Sequence, residues 1–139
     1  MKRSKKSSFT SPASTTRMDV GLLLMRLGLG LTMLMNHGLP YLEHFESEAG
    51  SFLPLPGMNG RVTLSLVILA EVGGSLLLVA GLFARLAALV LVLAMAAAFF
   101  VVHGASFEGE QSGELAFIYL ISSGSLAFTG PGRFAWNRA

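Results

Sequence analysis

Apolar residues run along this chain in four long blocks: Val20–His37, Val62–Leu82, Leu86–His103 and Glu114–Phe128, the last trailing on to about residue 130. Polar residues gather between the blocks. At 1.5 Å per residue the second and third blocks reach about 27–32 Å, enough for a bilayer core of about 30 Å with some tilt. The fourth is short and holds Ser122, Ser123, Gly124 and Ser125, so it has to lean on its neighbours. The pattern predicts an all-α protein, a four-helix transmembrane bundle with spans at approximately 20–37, 62–82, 86–103 and 114–130. A disordered basic tail over 1–19 is expected before the membrane domain of 20–132, and a short C-terminal tail over 133–139 after it.

The connections differ in kind. Gly81-Leu82-Phe83-Ala84-Arg85 is too short for anything but a tight turn, which makes the second and third spans an antiparallel hairpin. The first outer loop, Gly38 to Arg61, carries Pro40, Pro54 and Pro56 with Gly50, Gly57 and Gly60. Its Phe52-Leu53-Pro54-Leu55-Pro56 stretch is apolar but broken by proline, so it is expected at the interface or folded back as a lid.

Composition places the chain among integral membrane proteins: 53% of its 139 residues are hydrophobic and 13% charged, against about 25% charged in soluble domains. The net charge of +2 is sorted along the sequence. With four spans, Lys2, Arg3, Lys5, Lys6, Arg17, Arg85, Arg133 and Arg138 share one side. Arg61 lies opposite, with Glu43, Glu46, Glu48, Glu108 and Glu110. That asymmetry places both termini in the cytoplasm. The basic tail is rich in Ser and Thr and lacks interleaved aromatics, so it reads as solvated and not as nucleic-acid-binding. A cleaved signal peptide fits poorly, because the first apolar run is long, contains Arg26 and ends in Met-Asn-His-Gly. There is no cysteine, so no thiol redox centre or cysteine-held cluster can reside here.

Arg26, Glu71, His103 and Glu114 lie inside the apolar blocks, and His37 closes the first. Charge at a helix centre costs roughly 2.5–3.5 kcal/mol on insertion scales, so such groups pair, line a polar path or do chemistry. Helical spacing puts Arg26 and His37 on one face with Gly30 and Met33, and Glu71 on one face with Gly74, Ser75 and Leu78. Measured from the cytoplasmic helix ends, Arg26 and Glu71 fall at depths an arginine can bridge, and a structural Arg26–Glu71 ion pair is expected. His37, His103 and Glu114 fall near outer helix ends and are expected as a second polar cluster. Blander readings stay open: packing for the pair, interfacial placement for the histidines, helix capping for Glu114, and solvation for His44. No His-Glu-x-x-His spacing supports a metal site, and no phosphate-cradling or dinucleotide motif is present.

These residues also carry a resemblance. Leu24-Met25-Arg26-Leu27-Gly28-Leu29-Gly30 followed by His37-Gly38 resembles the first helix of the DoxX family. Glu71-Val72-Gly73-Gly74-Ser75-Leu76-Leu77-Leu78-Val79-Ala80-Gly81-Leu82-Phe83-Ala84-Arg85-Leu86-Ala87-Ala88 is similar to its most recognisable stretch. His103, Glu114 and Gly130-Pro131-Gly132-Arg133-Phe134 complete the pattern. Leu39-Pro40-Tyr41 stands where that family often has a lysine, which argues against an outer cation for an anionic substrate.

The resemblance implies a small multi-pass protein of the bacterial inner membrane, in a family named after a subunit of a thiosulfate:quinone oxidoreductase. The expected function is a subunit or accessory component of a quinone-linked membrane oxidoreductase system, with membrane protein partners. His37, His103 and Glu114 would hold a quinone head group and are the catalytic candidates. The interior bearing Met33, Met95, Phe99 and Phe100 would admit an isoprenoid-like tail or serve as plain core. A non-catalytic assembly protein and a small-solute or proton transporter are the alternatives.

Overall fold

The computed structural model describes residues 12–110 and 112–136, with side chains from residue 15. Lys2, Arg3, Lys5, Lys6 and Arg138, which carried much of the charge asymmetry, lie outside the described residues. Among the described residues the chain is all-α. Helix α1 covers 12–43, built from Pro12–Met33, a wide π-helical turn over Leu34–Gly38, and Leu39–Glu43. The short α2 is Phe45–Glu48. Helix α3, Gly60–Ala80, contains a π-turn at Leu69–Gly73, and α4, Ala84–Val102, ends in one at Ala98–Val102. Helix α5 is Glu114–Thr129. Three of these helices are long and apolar enough to cross a membrane, and α5 is a shorter apolar helix.

α1 begins before Val20 because Pro12 suits a first helical turn and nothing through Asp19 breaks the helix. The π-turn in α1 has a local cause. Pro40 has no N–H to give the Asn36 carbonyl and its ring crowds that carbonyl, so the ladder slips and the Leu39 N–H reaches Leu34 O instead. In α3 the slip precedes Gly73-Gly74-Ser75, small residues that hold the ladder loosely.

Between apolar helices in lipid, close packing replaces the hydrophobic effect as the main attraction, and small residues set the contacts. A Cβ on Gly30 would lie 2.7 Å from Val79 Cγ2, and one on Gly38 would lie 2.8 Å from Val72 Cγ2. These two glycines run α1 antiparallel along α3. Gly74 receives Leu91 in the same manner, with a built Cβ 3.1 Å from Leu91 Cγ, and so sets α3 against α4. The core between the helices holds Leu29, Met33, Leu78, Ala87, Ala88, Leu91, Met95, Tyr119 and Leu126.

The α3–α4 connection is the expected tight turn. Gly81 sits at φ +70, its N–H bonds Leu78 O, and the Leu82 N–H bonds Leu77 O at 2.9 Å, the paired bonds of a Schellman end. At the opposite end the connection over residues 38–61 does fold back. Tyr41 and Phe52 meet edge to face at 5.7 Å, and Leu55 N–H donates to Thr63 Oγ1 at 3.1 Å. Ala49, Leu64 and Ile68 form a small second core beneath it. The loop after α4 is held by stacking of Phe99 with Phe107 and Phe117, each at 5.2 Å.

The segment after α5 returns to α1. Arg133 N–H donates to Asp19 Oδ1 at 2.9 Å, and the Arg26 guanidinium donates to Pro131 O at 3.3 Å and Phe134 O at 3.4 Å. The start of α1 and the end of α5 therefore lie at one end of the bundle, together with the Gly81 turn, whose built Cβ falls 2.9 Å from an Arg26 nitrogen.

Candidate functional site

The expected Arg26–Glu71 pair does not form. Arg26 is buried, 2% exposed, yet its side chain extends toward the near end of the bundle, where the Pro131 and Phe134 carbonyls accept its protons. A long cationic side chain reaches for the closest polar groups along an apolar path, and two backbone acceptors one turn away outcompete a carboxylate deeper in the bundle. Glu71 sits beside Gly38, whose built Cβ lies 3.5 Å from the Glu71 carbonyl carbon. Gly38 is 12 residues beyond Arg26, about 18 Å along a helix. Arg26 and Glu71 therefore lie at different depths in the bundle.

Glu71 instead joins the histidines. His37 lies in the π-turn of α1, Glu71 in that of α3, and His103 caps the one closing α4. A π-turn widens the backbone and redirects the side chains it carries, and such turns recur at functional sites. All three side chains line one cavity of about 830 Å³, with Tyr41 and Tyr119. His37 and Tyr119 meet edge to face at 5.6 Å. The remaining wall is mainly aliphatic, from α3 and α4, and Phe52, Leu53 and Leu55 of the outer loop close over it.

Two polar atoms in this wall have no partner in the structure: Glu71 Oε2 and His37 Nε2, both fully buried. Ser75 Oγ, one turn along α3 from Glu71 and outside the cavity lining, is also buried without a partner. Buried polar groups are nearly always hydrogen-bonded, and an orphan costs about 1–3 kcal/mol, more if charged. A cavity of this size, with unpartnered polar groups on two of the residues that line it, fits a ligand bearing oxygen or nitrogen at one end and hydrocarbon elsewhere. Among the described residues no three His, Asp or Glu side chains converge as metal ligands.

Glu114 is the other departure. It is exposed, at the first turn of α5, and does not line the cavity. Its position in the first turn puts a carboxylate at the positive end of the helix dipole, without a side-chain cap hydrogen bond. His44 is exposed with Nδ1 3.0 Å from Pro40 O. Met95 borders the cavity, Met33 lies in the core, Phe99 packs in the aromatic cluster and Phe100 faces outward. Tyr41, Tyr119 and the buried Asp19 were missed by the sequence reading. Tyr119 is signalled by its register, five residues after Glu114, on the α5 face that also carries Ser123 and Leu126.

A family model described as DoxX matches residues 21–104, which include His37, Glu71, His103 and Arg26. A protein of Haemophilus influenzae described as "Uncharacterized protein" is 36% identical over 91 residues, covering 60% of this chain and 68% of the relative. No solved structure matches.

Proposed function

Since this chain belongs to the DoxX family, we propose that it is the quinone-binding membrane component of an oxidoreductase system, with Glu71 and His37 as the residues that receive the head group. The observation that carries the reading is the pair of unpartnered atoms, Glu71 Oε2 and His37 Nε2, on two residues that line a mainly apolar cavity. A quinone oxygen accepts from a protonated imidazole or carboxyl group, and a hydroquinone hydroxyl donates to the neutral imidazole or the carboxylate. The same two side chains therefore serve both redox forms. Reduction of the ring takes two electrons and two protons. Glu71 and His37 stand where the protons have to be delivered, and His103, nearer the outer end of the cavity, extends the route to the surface. The electrons come from a partner subunit or a bound cofactor, since a chain without cysteine holds no thiol or cysteine-ligated centre of its own. Both termini are assigned to the cytoplasm by the distribution of Lys and Arg.

The test is extraction of bound small molecules from protein purified in native lipid. The parent and Glu114→Gln are expected to retain an isoprenoid quinone, while Glu71→Gln and His37→Ala lose it at least tenfold. A folded parent protein without quinone, or a Glu71→Gln variant that keeps it, overturns the assignment. Reporter fusions at the C-terminus test the orientation, with a cytoplasmic signal expected.

A further inference from the structure

The cavity has two candidate mouths. One faces the outer surface, where Glu48, Ser51, His103 and Ser112 give a polar rim. Apolar side chains lie across it: Phe52, Leu53 and Leu55 reach over from the loop, and that loop is held by the Tyr41–Phe52 contact and the Leu55–Thr63 hydrogen bond. The other lies between helices. α3 and α4 pack closely at Gly74 and Leu91, but the outer segment of α3, Gly60–Ile68, no longer packs along α4. The cavity occupies the parting. Leu66, Val67 and Ala70 form one side, and Leu93, Ala94 and Ala97 form the other. Leu93, 72% exposed, stands at the rim on the face that meets lipid. The wall between is lined by alanine, which leaves room for a chain and makes no polar contact with it.

We propose that the cavity is loaded sideways from the bilayer through the parting of α3 and α4. Its occupant is then a membrane-dissolved amphiphile, with a hydrogen-bonding head between His37 and Glu71 and a hydrocarbon tail leaving along Ala70, Ala94 and Ala97. The identity of the head rests on the quinone reading above; the route does not. The geometry favours this over entry from water for two reasons. The orphan polar atoms lie at the deep end, beside Gly38, about half-way along α3. A ligand entering from water would have to bring its hydrocarbon in past the polar rim, whereas one already in lipid carries only its head through an apolar gap.

The chain has a single tryptophan, Trp136, and no cysteine, so reporters can be placed cleanly. Trp136→Phe combined with Ala97→Trp puts the only indole in the parting. In vesicles of phosphatidylcholine with brominated acyl chains its fluorescence is expected to fall at least twofold relative to ordinary phosphatidylcholine, and iodide in the water is expected to leave it unchanged. Should the indole disturb the fold, Ala97→Cys carrying a nitroxide gives the same answer, with greater accessibility to oxygen than to a water-soluble nickel chelate. Access from water in either variant, or from neither phase, overturns the lateral route.

A second arm uses ligand retention. Ala97→Trp is expected to lower quinone copurification at least tenfold and Ser112→Trp, at the outer mouth, to leave it unchanged. The reverse pattern overturns the route. Lipid quenching in a protein whose parent retains no quinone upholds the route and refutes the quinone assignment.

Discussion

Glycine and arginine show how much one atom decides here. Gly30 and Gly28 lie two positions apart on α1, but only Gly30 faces α3, with Val79 Cγ2 2.7 Å from where a Cβ would be. Gly30→Val is expected to force α1 and α3 apart and to lower the resistance of the detergent-solubilised protein to unfolding by about 1–3 kcal/mol. Gly28→Ala, with nothing within 4 Å, is expected to be neutral or to stabilise by about 0.4–1 kcal/mol. Equal effects in a denaturant titration would mean that the Gly30 contact does not hold the helices. Arg26 illustrates the residue scale from the other side. The sequence shows that a cation in an apolar span needs partners, and the structure supplies them from backbone carbonyls 105 and 108 residues away. Carbonyl groups leave no mark in the identity of a residue. That is why a carboxylate looked the natural partner and why Asp19, which fixes the same segment, drew no notice. Arg26→Ala is expected to release the segment around Trp136, read as increased mobility in its fluorescence anisotropy. An unchanged anisotropy would show that Asp19 holds the segment alone.

At the scale of elements, hydropathy was a sufficient guide to the helices and a poor one to their interruptions. The blocks from Val62 and Leu86 match α3 and α4 within two residues, because a long apolar run in lipid has helix as its simplest means of pairing its backbone groups. The π-turns are a different matter. One follows from Pro40 and could be anticipated, while that at Leu69–Gly73 is marked only by the glycines at its end and that at Ala98–Val102 lies in a run whose composition suits an unbroken helix. They nevertheless decide the site, since His37, Glu71 and His103 all fall in or beside them. Pro40→Ala restores an N–H to the first of these turns. It is expected to let α1 regain a regular ladder, turn the His37 ring away from Tyr119, and reduce ligand retention severalfold without loss of the folded protein. Retention equal to that of the parent would show that the turn does not aim His37.

For the molecule as a whole, the three long apolar helices, the shorter fourth one and the folding back of the 38–61 connection were legible, and the partition of polar groups was not. Two clusters were expected, Arg26 with Glu71 and His37 with His103 and Glu114. The structure regroups them, leaving Glu114 on the surface and bringing Glu71 to the histidines. Distances between helices depend on how the spans are staggered, and sequence position alone does not supply that stagger. The outcome separates structure from chemistry: one end of the bundle is closed by a clasp of Asp19 and Arg26, and the other opens around the cavity. The clasp also says something about how the protein is made. Arg26 leaves the ribosome 105 residues before Pro131, an interval of roughly 5–20 s at ordinary rates of synthesis. Throughout that time the first span carries a cation whose eventual partners do not yet exist. Only a chain that has reached Phe134, with its fourth apolar helix made, can satisfy the first. A product terminated after Thr129 should therefore be cleared by membrane proteases much faster than the parent, so that the segment from Pro131 to Phe134 reports that the first helix has found its partners.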